Sequence, residues 1–313
     1  MTEILLGTMT FGDTVDADTA GQMIDAALDR GIEHVDTANV YSGGAAETML
    51  GKLLEGRRDL VTLATKVGMP HEDAATEAPL SATAIARCVE ASLRRLRTDR
   101  VELLYLHQPD RTTPLDETLG AVADLRRQGK IIDFGLSNYS AWMTRDVACA
   151  ATAAELPPPA VGQQLLNLVA RRVEEEYLEM SSACTIRTAA YNPLSGGLLT
   201  GRHDFARKPT SGRFGDSRLA AMYQQRYWSP AIFSAIAEYQ RIATEAGVSL
   251  IELALRWVGG HPGVDAVLIG ASKVDQIVAN TEFIRRGPLD ADVVAACDAV
   301  GAGLRGPMPA YHR

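Results

Sequence analysis

Short apolar runs alternate with longer segments of helical periodicity along almost all of the 313 residues. Seven of these runs are separated by spacings that accommodate a helix, whereas the first could belong partly to a hairpin that closes the bottom of a barrel. The eight runs centre on Leu5, Val35, Val61, Leu103, Ile132, Val161, Thr188 and Val267. Strands alternating with helices predict a parallel sheet, and eight of them fit a (β/α)8 TIM barrel formed as one domain by residues 1–313.

The segments between the runs carry helix signals. An apolar face at helical spacing predicts a helix over residues 18–30 that stops at Gly31, and Ser81 is a suitable N-cap for a helix that continues to Leu96. The other predicted helices cover residues 45–54, 115–128, 173–180, 230–246, 250–258 and 273–284, with one that follows Asn138 and runs to about residue 154 and an additional C-terminal helix at 290–300. Residues 196–228 are rich in Gly, Arg and aromatics without a clear period, which predicts a long functional loop.

A doubly wound sheet is the alternative fold. Its dinucleotide-binding turn needs the Gly-x-Gly-x-x-Gly pattern after the first strand, and Gly7 and Gly12 are not spaced in that way. The three prolines at 157–159 could mark a domain linker, but the strand-then-helix rhythm resumes immediately after them. The barrel is therefore the more economical interpretation.

Charge and cysteine content narrow the class of protein. A net charge of −8 argues against nucleic acid or an anionic membrane as the main partner. The N-terminal residues lack the basic and apolar regions of a signal peptide, and no apolar run is long enough to span a membrane. The four cysteines are scattered without metal-binding spacing, which predicts buried thiols in a reducing cytoplasm and no metal site.

Three of the predicted strands end in an ionisable residue. Asp36 ends the second run, Lys66 the third and His107 the fourth, and Tyr41 follows Asp36 across a polar turn. For any one of these residues a structural role is the default interpretation, such as a capping carboxylate or a satisfied core histidine. The C-terminal strand ends of a parallel barrel converge, however, so together the four residues predict an active site.

These four side chains suit proton transfer to a carbonyl oxygen. A tyrosine has an ordinary pKa near 10, and a lysine close to its hydroxyl is expected to lower that pKa. Asp36 would keep Lys66 charged and fixed, and a neutral His107 would orient the carbonyl or join the proton relay. Hydride would have to come from a separate donor.

The motifs around these residues resemble the aldo-keto reductase family over essentially the full length of the chain. The matching segments are residues 31–41, 64–67, 104–110, 129–139 and 190–201. The resemblance implies a (β/α)8 barrel with the site at the C-terminal strand ends, and NADPH-dependent reduction of aldehydes or ketones. It also implies that Tyr41 is the general acid, that Asp36 and Lys66 tune it, and that His107 positions the substrate carbonyl.

The same resemblance implies a cofactor site along the later strand ends. Ser137, Asn138 and Gln163 match residues that bind the nicotinamide carboxamide, Tyr191 matches the aromatic that stacks on the ring, and Asp36 belongs to the same site. The residues implied for the pyrophosphate are Pro193, Leu194, Ser195, Gly197, Arg202 and Arg213. Those implied for the adenosine end are Gly270, Ser272, Lys273, Gln276 and Asn280, where a serine turn entering a helix also suits an anion.

Further segments are similar to the aflatoxin-aldehyde and succinic-semialdehyde reductase branch of the family, in which homodimers occur. There, arginines that match Arg226 and the C-terminal Arg313 bind a substrate carboxylate. The chain departs from the branch at Leu166, where a tyrosine is usual, and at Arg218-Leu219, where a polar residue and a tryptophan are more typical. These departures bear on the substrate rather than on the reaction.

Two other functions are compatible with the same residues. Barrels of this family also serve as nucleotide-sensing auxiliary subunits of potassium channels, and such a protein can retain the catalytic set. A dedicated ketone reductase of a biosynthetic pathway would share the mechanism and differ only in its pocket. Composition decides neither the substrate nor the oligomeric state.

Overall fold

Each apolar run forms one strand of a closed parallel barrel in the computed structural model, which describes residues 2–306. The strands follow one another around the barrel in chain order, so the prediction of a (β/α)8 barrel is confirmed and an open doubly wound sheet is excluded. They are β1 (Glu3–Gly7), β2 (His34–Asp36), β3 (Thr62–Val67), β4 (Val101–Leu106), β5 (Ile131–Ser137), β6 (Val161–Leu165), β7 (Arg187–Tyr191) and β8 (Ala266–Ile269).

Strand β1 closes the barrel. It pairs in parallel with β2 on one side, with Leu6 opposite Val35, and with β8 on the other, with Leu6 opposite Ile269. The suggestion that this first run belongs partly to a hairpin is therefore wrong. A strand that is hydrogen-bonded in parallel on both edges is an integral barrel strand.

Eleven helices lie between and after the strands of residues 2–306. They are α1 (Ala17–Leu28), α2 (Ala45–Leu53), α3 (Ala82–Leu96), α4 (Leu115–Arg127), α5 (Ala141–Ala151), α6 (Tyr177–Ala183), α7 (Ala220–Tyr227), α8 (Pro230–Glu245), α9 (Leu250–Gly259), α10 (Val274–Arg285) and α11 (Ala291–Leu304). Ser81 accepts a hydrogen bond from the N–H of Ala84, as predicted for an N-cap, and Gly31 follows α1 with a positive φ of 64°.

Two predictions along the chain need correction. The segment 196–228, predicted to be one long loop, contains 3-10 turns at Ser195–Thr200 and Gly212–Phe214, followed by α7. Only Tyr223 and Tyr227 of α7 are buried, so its helical period rests on two positions and is hard to detect. The helix expected at 173–180 begins later, at Tyr177, because residues 172–174 form a 3-10 turn.

The two faces of the barrel wall have different neighbours. Ile4 and Leu6 belong to the large core between strands and helices, whereas Leu5 belongs to a small cluster with Ala189 and Ala266. Because side chains alternate along a strand, that small cluster lies inside the barrel. The same alternation determines which side chains at the strand ends reach the interior.

Helix α11 adds the predicted C-terminal element and packs against α8. Within residues 2–306, none of the helices has the length and apolarity that crossing a membrane requires. Strands β5 and β6 pair across the Pro157–Pro159 loop, so the prolines do not separate two sheets.

Candidate active site

The predicted site residues share one end of the barrel. Leu63 and Val67 of β3 pack among the helices, so the alternating Lys66 points into the interior, and the same reasoning places Asp36 inward because Val35 faces the helices. The interior positions at the C-terminal strand ends are Asp36 on β2, Lys66 on β3, Ser137 on β5, Gln163 on β6 and Tyr191 on β7, with His107 directly after β4.

Lys66 and Asp36 form a buried ion pair. The Lys66 ammonium is fully buried and donates to Asp36 Oδ1, and to the carbonyl of Thr37 at 2.8 Å. The second Asp36 oxygen accepts a 2.8 Å hydrogen bond from Gln163 Nε2. Burial lowers the pKa of Lys66, and the charge and hydrogen bond of Asp36 raise it. The pair therefore fixes the ammonium in place beneath the site, with its charge balanced by Asp36.

Tyr41 lies above that pair, at the start of the 3-10 turn Tyr41–Gly44. The Lys66 Nζ is 5.0 Å from the centroid of the tyrosine ring. Burial raises the pKa of Tyr41 well above 10, and the charge of Asp36 raises it further, while Arg213 lowers it. The sequence predicted that Lys66 would lower this pKa, but burial and the Asp36 charge dominate and raise it. The side chain is therefore a protonated phenol, suited to donate.

His107 packs edge-on against Tyr41, with ring centroids 5.9 Å apart. Burial lowers the pKa of His107 to about 3, and the nearby Lys66 charge lowers it as well. Its Nδ1 is buried without a hydrogen-bond partner among the described residues. A neutral imidazole in this position has one N–H to offer and carries no charge of its own.

The predicted nicotinamide residues form a connected polar group. Asn138 Nδ2 donates to the His107 carbonyl at 2.9 Å and to Ser137 Oγ at 3.0 Å. Its Oδ1 accepts from the Tyr191 hydroxyl at 2.6 Å, and Ser137 Oγ donates to the Gln163 carbonyl at 3.1 Å. Asn138 has a positive φ of 62°, which turns its amide back toward the barrel mouth.

The loop after β7 forms an incomplete polar cradle. Ser195 Oγ and Arg213 Nη1 are buried without a hydrogen-bond partner within residues 2–306, although Nη1 lies 3.9 Å from Asp13. Gly197 has a φ of 100°, and a Cβ there would stand 3.6 Å from Arg202 Nη2. Unsatisfied donors beside bare backbone are the chemistry that binds a phosphate.

The predicted adenosine end lies between β8 and α10. The Ser272 N–H donates to Gln276 Oε1 at 2.9 Å, and Lys273 is the exposed N-cap residue of α10. Gly270 follows β8 directly, and Asn280 is buried on α10. A lysine and free N–H groups at a helix N-terminus suit an anionic group.

These features together fit a dinucleotide such as NADPH. The amide groups at the ends of β5 and β6 match a carboxamide, the unpartnered Ser195 and Arg213 match a pyrophosphate, and Lys273 provides a cation for a further phosphate. Pro193 is buried and Leu194 is half-buried, so they shape the loop rather than offer polar contacts. The order of these groups around the barrel follows the order of the strands.

Of the two arginines predicted to bind a substrate carboxylate, the structure describes only Arg226. Arg226 is exposed on α7, with its guanidinium 6.0 Å from the rings of Tyr223 and Tyr227, and its charge lowers the pKa of Tyr191, which burial raises to about 12. Arg313 lies outside the described residues. Leu166, which stands where a tyrosine is usual in the aflatoxin-aldehyde reductase branch, is fully buried. The next residue, Asn167, donates to the Tyr227 hydroxyl at 3.3 Å.

Sequence reasoning missed three contributors. Tyr105 lies two residues before His107 on the same strand face, and its ring centroid is 5.5 Å from Lys66 Nζ, so strand alternation could have indicated it. Glu47 is fully buried against Thr65 of β3 and has only a faint signal, an acid on a predicted helix. Asp13, which accepts from Ser217 at 2.8 Å across the barrel mouth, has no sequence signal.

A tyrosine above a buried Lys–Asp pair, beside a polar loop whose unpartnered donors fit a phosphate, is an arrangement on a (β/α)8 barrel that is typical of reductases of carbonyl groups. Comparison with known proteins agrees, because the sequence model of the aldo/keto reductase family matches residues 3–302. The chain belongs to the aldo/keto reductase family and is an oxidoreductase that acts on carbonyl groups. Members of this family generally use NADPH.

Individual relatives extend this result. The chain is 35% identical to aflatoxin B1 aldehyde reductase member 2 of Mus musculus, over 99% of this chain and 87% of that protein. It is 35% identical to aldo-keto reductase family 7 member A3 of Homo sapiens, over 99% of this chain and 96% of that protein. It is also 31% identical to a probable voltage-gated potassium channel subunit beta of Oryza sativa subsp. japonica, over 93% and 90% of the two chains.

Proposed function

We propose that this protein reduces an aldehyde or ketone to an alcohol with NADPH, with Tyr41 as the general acid. The observation that carries the proposal is the buried Lys66–Asp36 pair beneath a protonated tyrosine, at the strand ends where the dinucleotide cradle begins. A charged pair with no access to water is costly to fold and is concentrated at functional sites.

Tyr41 donates its phenolic proton to the carbonyl oxygen as negative charge develops there. The raised pKa of Tyr41 keeps the proton on the phenol until an oxygen of greater basicity approaches. Lys66, 5.0 Å from the ring centroid, stabilises the transient phenolate, and Asp36 holds the ammonium in place. Water returns the proton to Tyr41 after the alcohol leaves.

His107 orients the carbonyl. Because its pKa is lowered to about 3, the imidazole is neutral and donates a hydrogen bond from one ring nitrogen without competing with Tyr41 as an acid. The two rings are in edge-on contact, close enough for both side chains to donate to the same oxygen. Two donors at one oxygen define the point where the carbonyl must bind.

The chemistry that a bound NADPH supplies is hydride donation to the carbonyl carbon. Ser137, Asn138 and Gln163 would hold the carboxamide, and Tyr191 would pack on the nicotinamide ring. Ser195, Arg202 and Arg213 would hold the pyrophosphate. The residues proposed for the adenosine end are Gly270, Ser272, Lys273, Gln276 and Asn280.

We further propose a preference for carbonyl substrates that bear a carboxylate. Arg226 presents an exposed guanidinium near Tyr191, and relatives at 35% identity are named aldehyde reductases. A guanidinium pairs with a carboxylate in a bidentate geometry that a neutral group does not match. Arg313 is proposed as the second arginine that binds this carboxylate.

A cytoplasmic location, a homodimer and a single domain stay predictions from the sequence.

NADPH oxidation by the Tyr41→Phe variant tests the reaction. The variant should lose about 100-fold or more in kcat, because the proton donor is gone, while its fluorescence titration with NADPH is unchanged. Tyr177→Phe is the matched control, since it removes the hydroxyl of a buried tyrosine that lies on α6 outside the barrel. Full turnover by Tyr41→Phe would overturn the mechanism.

The same assay, run across neutral aldehydes, carboxylate-bearing aldehydes and ketones, tests the substrate class. Arg226→Gln should raise KM for a carboxylate-bearing aldehyde about tenfold or more and leave a neutral aldehyde unchanged, and removal of Arg313 should act in the same direction. Equal effects on both substrates would contradict the carboxylate preference. The potassium-channel relatives favour a nucleotide-sensing subunit as second candidate, which predicts tight NADPH binding with negligible turnover of every aldehyde.

A further inference from the structure

An ion pair between a buried carboxylate and a half-buried arginine lies behind the Tyr41 turn, on the helix side of the barrel wall. Glu47 on α2 is fully buried, and its Oε2 accepts a 2.8 Å hydrogen bond from Arg95 Nε on α3. The same guanidinium donates to Asp73 Oδ2 at 2.7 Å. Burying a charged pair costs several kcal/mol in desolvation, and apolar residues of similar size often replace such pairs without loss of stability. Packing alone therefore does not account for this pair.

Glu47 is attached to the strand that carries Lys66. Thr65 Oγ1 donates to Glu47 Oε1 at 2.5 Å. Thr65 and Lys66 are consecutive on β3, so their side chains leave the strand on opposite faces, Thr65 toward the helices and Lys66 into the barrel. Glu47 thus holds β3 through the residue that immediately precedes the buried lysine.

The partner of Glu47 lies against the turn that carries Tyr41. A Cβ built on Gly44 would stand 3.0 Å from Arg95 Cδ, so the arginine stem packs directly on that backbone. Ser42 and Gly43 in the same turn have φ values of 51° and 63°. A left-handed backbone at a serine is unfavourable and persists where its surroundings hold it.

We propose that Glu47 and Arg95 are positioning residues, which fix Tyr41 and Lys66 relative to each other from behind the barrel wall. Glu47 contacts β3, which carries Lys66, and Arg95 packs on the turn that carries Tyr41. The ion pair between Glu47 and Arg95 therefore links β3 to this turn. The inference rests on the proposed function, because it assigns significance to the relative placement of Tyr41 and Lys66.

The Glu47 carboxylate also acts on Lys66 electrostatically. The charged and titratable groups that face Lys66 inside the barrel are Asp36 from β2, Tyr41 from the turn, Tyr105 from β4 and the neutral His107 after β4, and the Glu47 charge acts on it through the barrel wall from α2. Burial lowers the pKa of Lys66, and the charges of Asp36 and Glu47 raise it. Loss of the Glu47 charge lowers that pKa further, so Lys66 loses its proton at a lower pH.

The Glu47→Gln variant tests the proposal, since it keeps the size and one acceptor oxygen but removes the charge. We expect kcat to fall about tenfold, because small displacements of catalytic groups have effects of this order. The alkaline limb of the kcat–pH profile should move to lower pH, while the Kd for NADPH stays within about twofold. A purely structural residue would leave the profile in place.

Glu252→Gln is the matched control. Glu252 is a buried carboxylate on α9 that pairs with two arginines, Arg256 at 3.2 Å and Arg286 at 2.7 Å, neither of which belongs to the Tyr41 turn or to β3. It should lose thermal stability to a similar extent and keep both kcat and the pH profile. The proposal is overturned if Glu47→Gln has the wild-type profile, or if Glu252→Gln loses as much activity.

A second variant decides the matter if Glu47→Gln does not fold. Thr65→Val keeps the side-chain shape and the Glu47–Arg95 pair but removes the link to β3, so kcat should fall with little movement of the alkaline limb. Unchanged kcat in Thr65→Val would then overturn the proposal. An active Tyr41→Phe would refute the proposed function instead, whereas an inactive Tyr41→Phe beside a normal Glu47→Gln would refute only this inference.

Discussion

The protonation state of His107 couples the chemistry of the site to the stability of the fold. Only 8% of this residue is exposed, and burial together with the Lys66 charge lowers its pKa to about 3. In the unfolded chain the same group titrates near its ordinary value of about 6.5. Between these two pKa values His107 binds a proton in the unfolded state but not in the folded state. The contribution of the neutral, buried His107 to the unfolding free energy is therefore complete above pH 6.5 and is lost as the pH falls toward 3.

A His107→Asn variant should therefore be less sensitive to acid. On going from pH 7 to about pH 4.5, the wild type should lose roughly 2 kcal/mol more unfolding free energy than the variant, because asparagine takes up no proton in either state. Urea unfolding at the two pH values measures this difference, and carboxylates elsewhere contribute equally to both proteins. Equal losses would show that His107 does not titrate in this way.

At the residue scale, the type of a residue and its position on a strand predicted where it lies, but they did not predict its electrostatic environment. Asp36, Lys66 and His107 were placed correctly because each ends an apolar run, and parallel strand ends meet. The raised pKa of Tyr41 was not predicted, since it depends on burial and on the Asp36 charge, which only the folded structure brings together. For the same reason the Gln163 bond to Asp36 could not be predicted from sequence.

Helices α2 and α3 are in backbone contact behind the site. A Cβ on Gly51 of α2 would stand 2.3 Å from the Arg95 carbonyl oxygen of α3, a separation that real Cβ atoms do not show. The two helices can approach this closely only because residue 51 has no side chain. This contact also sets the distance between the Glu47 and Arg95 backbones.

The Gly51→Ala substitution should push α2 away from α3. We expect a loss of about 1–3 kcal/mol in unfolding free energy, since an extra methyl group in a packed contact forces the backbone to move. Gly120→Ala on α4 is the matched control: it lies within a helix with open space around its Cα, and alanine should stabilise it by up to about 1 kcal/mol. Thermal unfolding of both variants measures the effects, and the same change in both would contradict the contact.

At the element scale, helices and strands were predicted correctly where the pattern of apolar residues continues over several positions. The eight strands and most helices were found because each presents a buried face of several residues. Helix α7 was missed because Tyr223 and Tyr227 alone are buried. The late start of α6 follows from the 3-10 turn that precedes it, in which Arg171 pairs with Glu174 at 2.8 Å, a contact that periodicity does not report.

Tertiary ion pairs also join distant parts of the chain. Arg171, beside β6, donates to Asp298 of α11 at 2.8 Å, and its guanidinium stacks 4.5 Å from the Trp257 ring centroid. Arg305 donates to Glu174 at 2.6 Å. The final helix is thus held to the barrel by charges more than 120 residues apart, a placement that no local sequence pattern contains.

The proposed dinucleotide site crosses the barrel mouth from Ser137 on β5 to Lys273 at α10, so a bound NADPH would stabilise the molecule as a whole. A ligand that binds only the folded state adds about 2.7 kcal/mol at 100 times its Kd, which raises Tm by several degrees. Lys273→Met should reduce the Tm shift caused by NADPH to that caused by NADH, because the lysine is proposed to pair with the extra phosphate. Lys52→Met, at an exposed lysine of α2, should keep the wild-type difference. Calorimetric scans with each nucleotide measure the shifts, and an undiminished NADPH advantage in Lys273→Met would assign recognition of that phosphate to another residue.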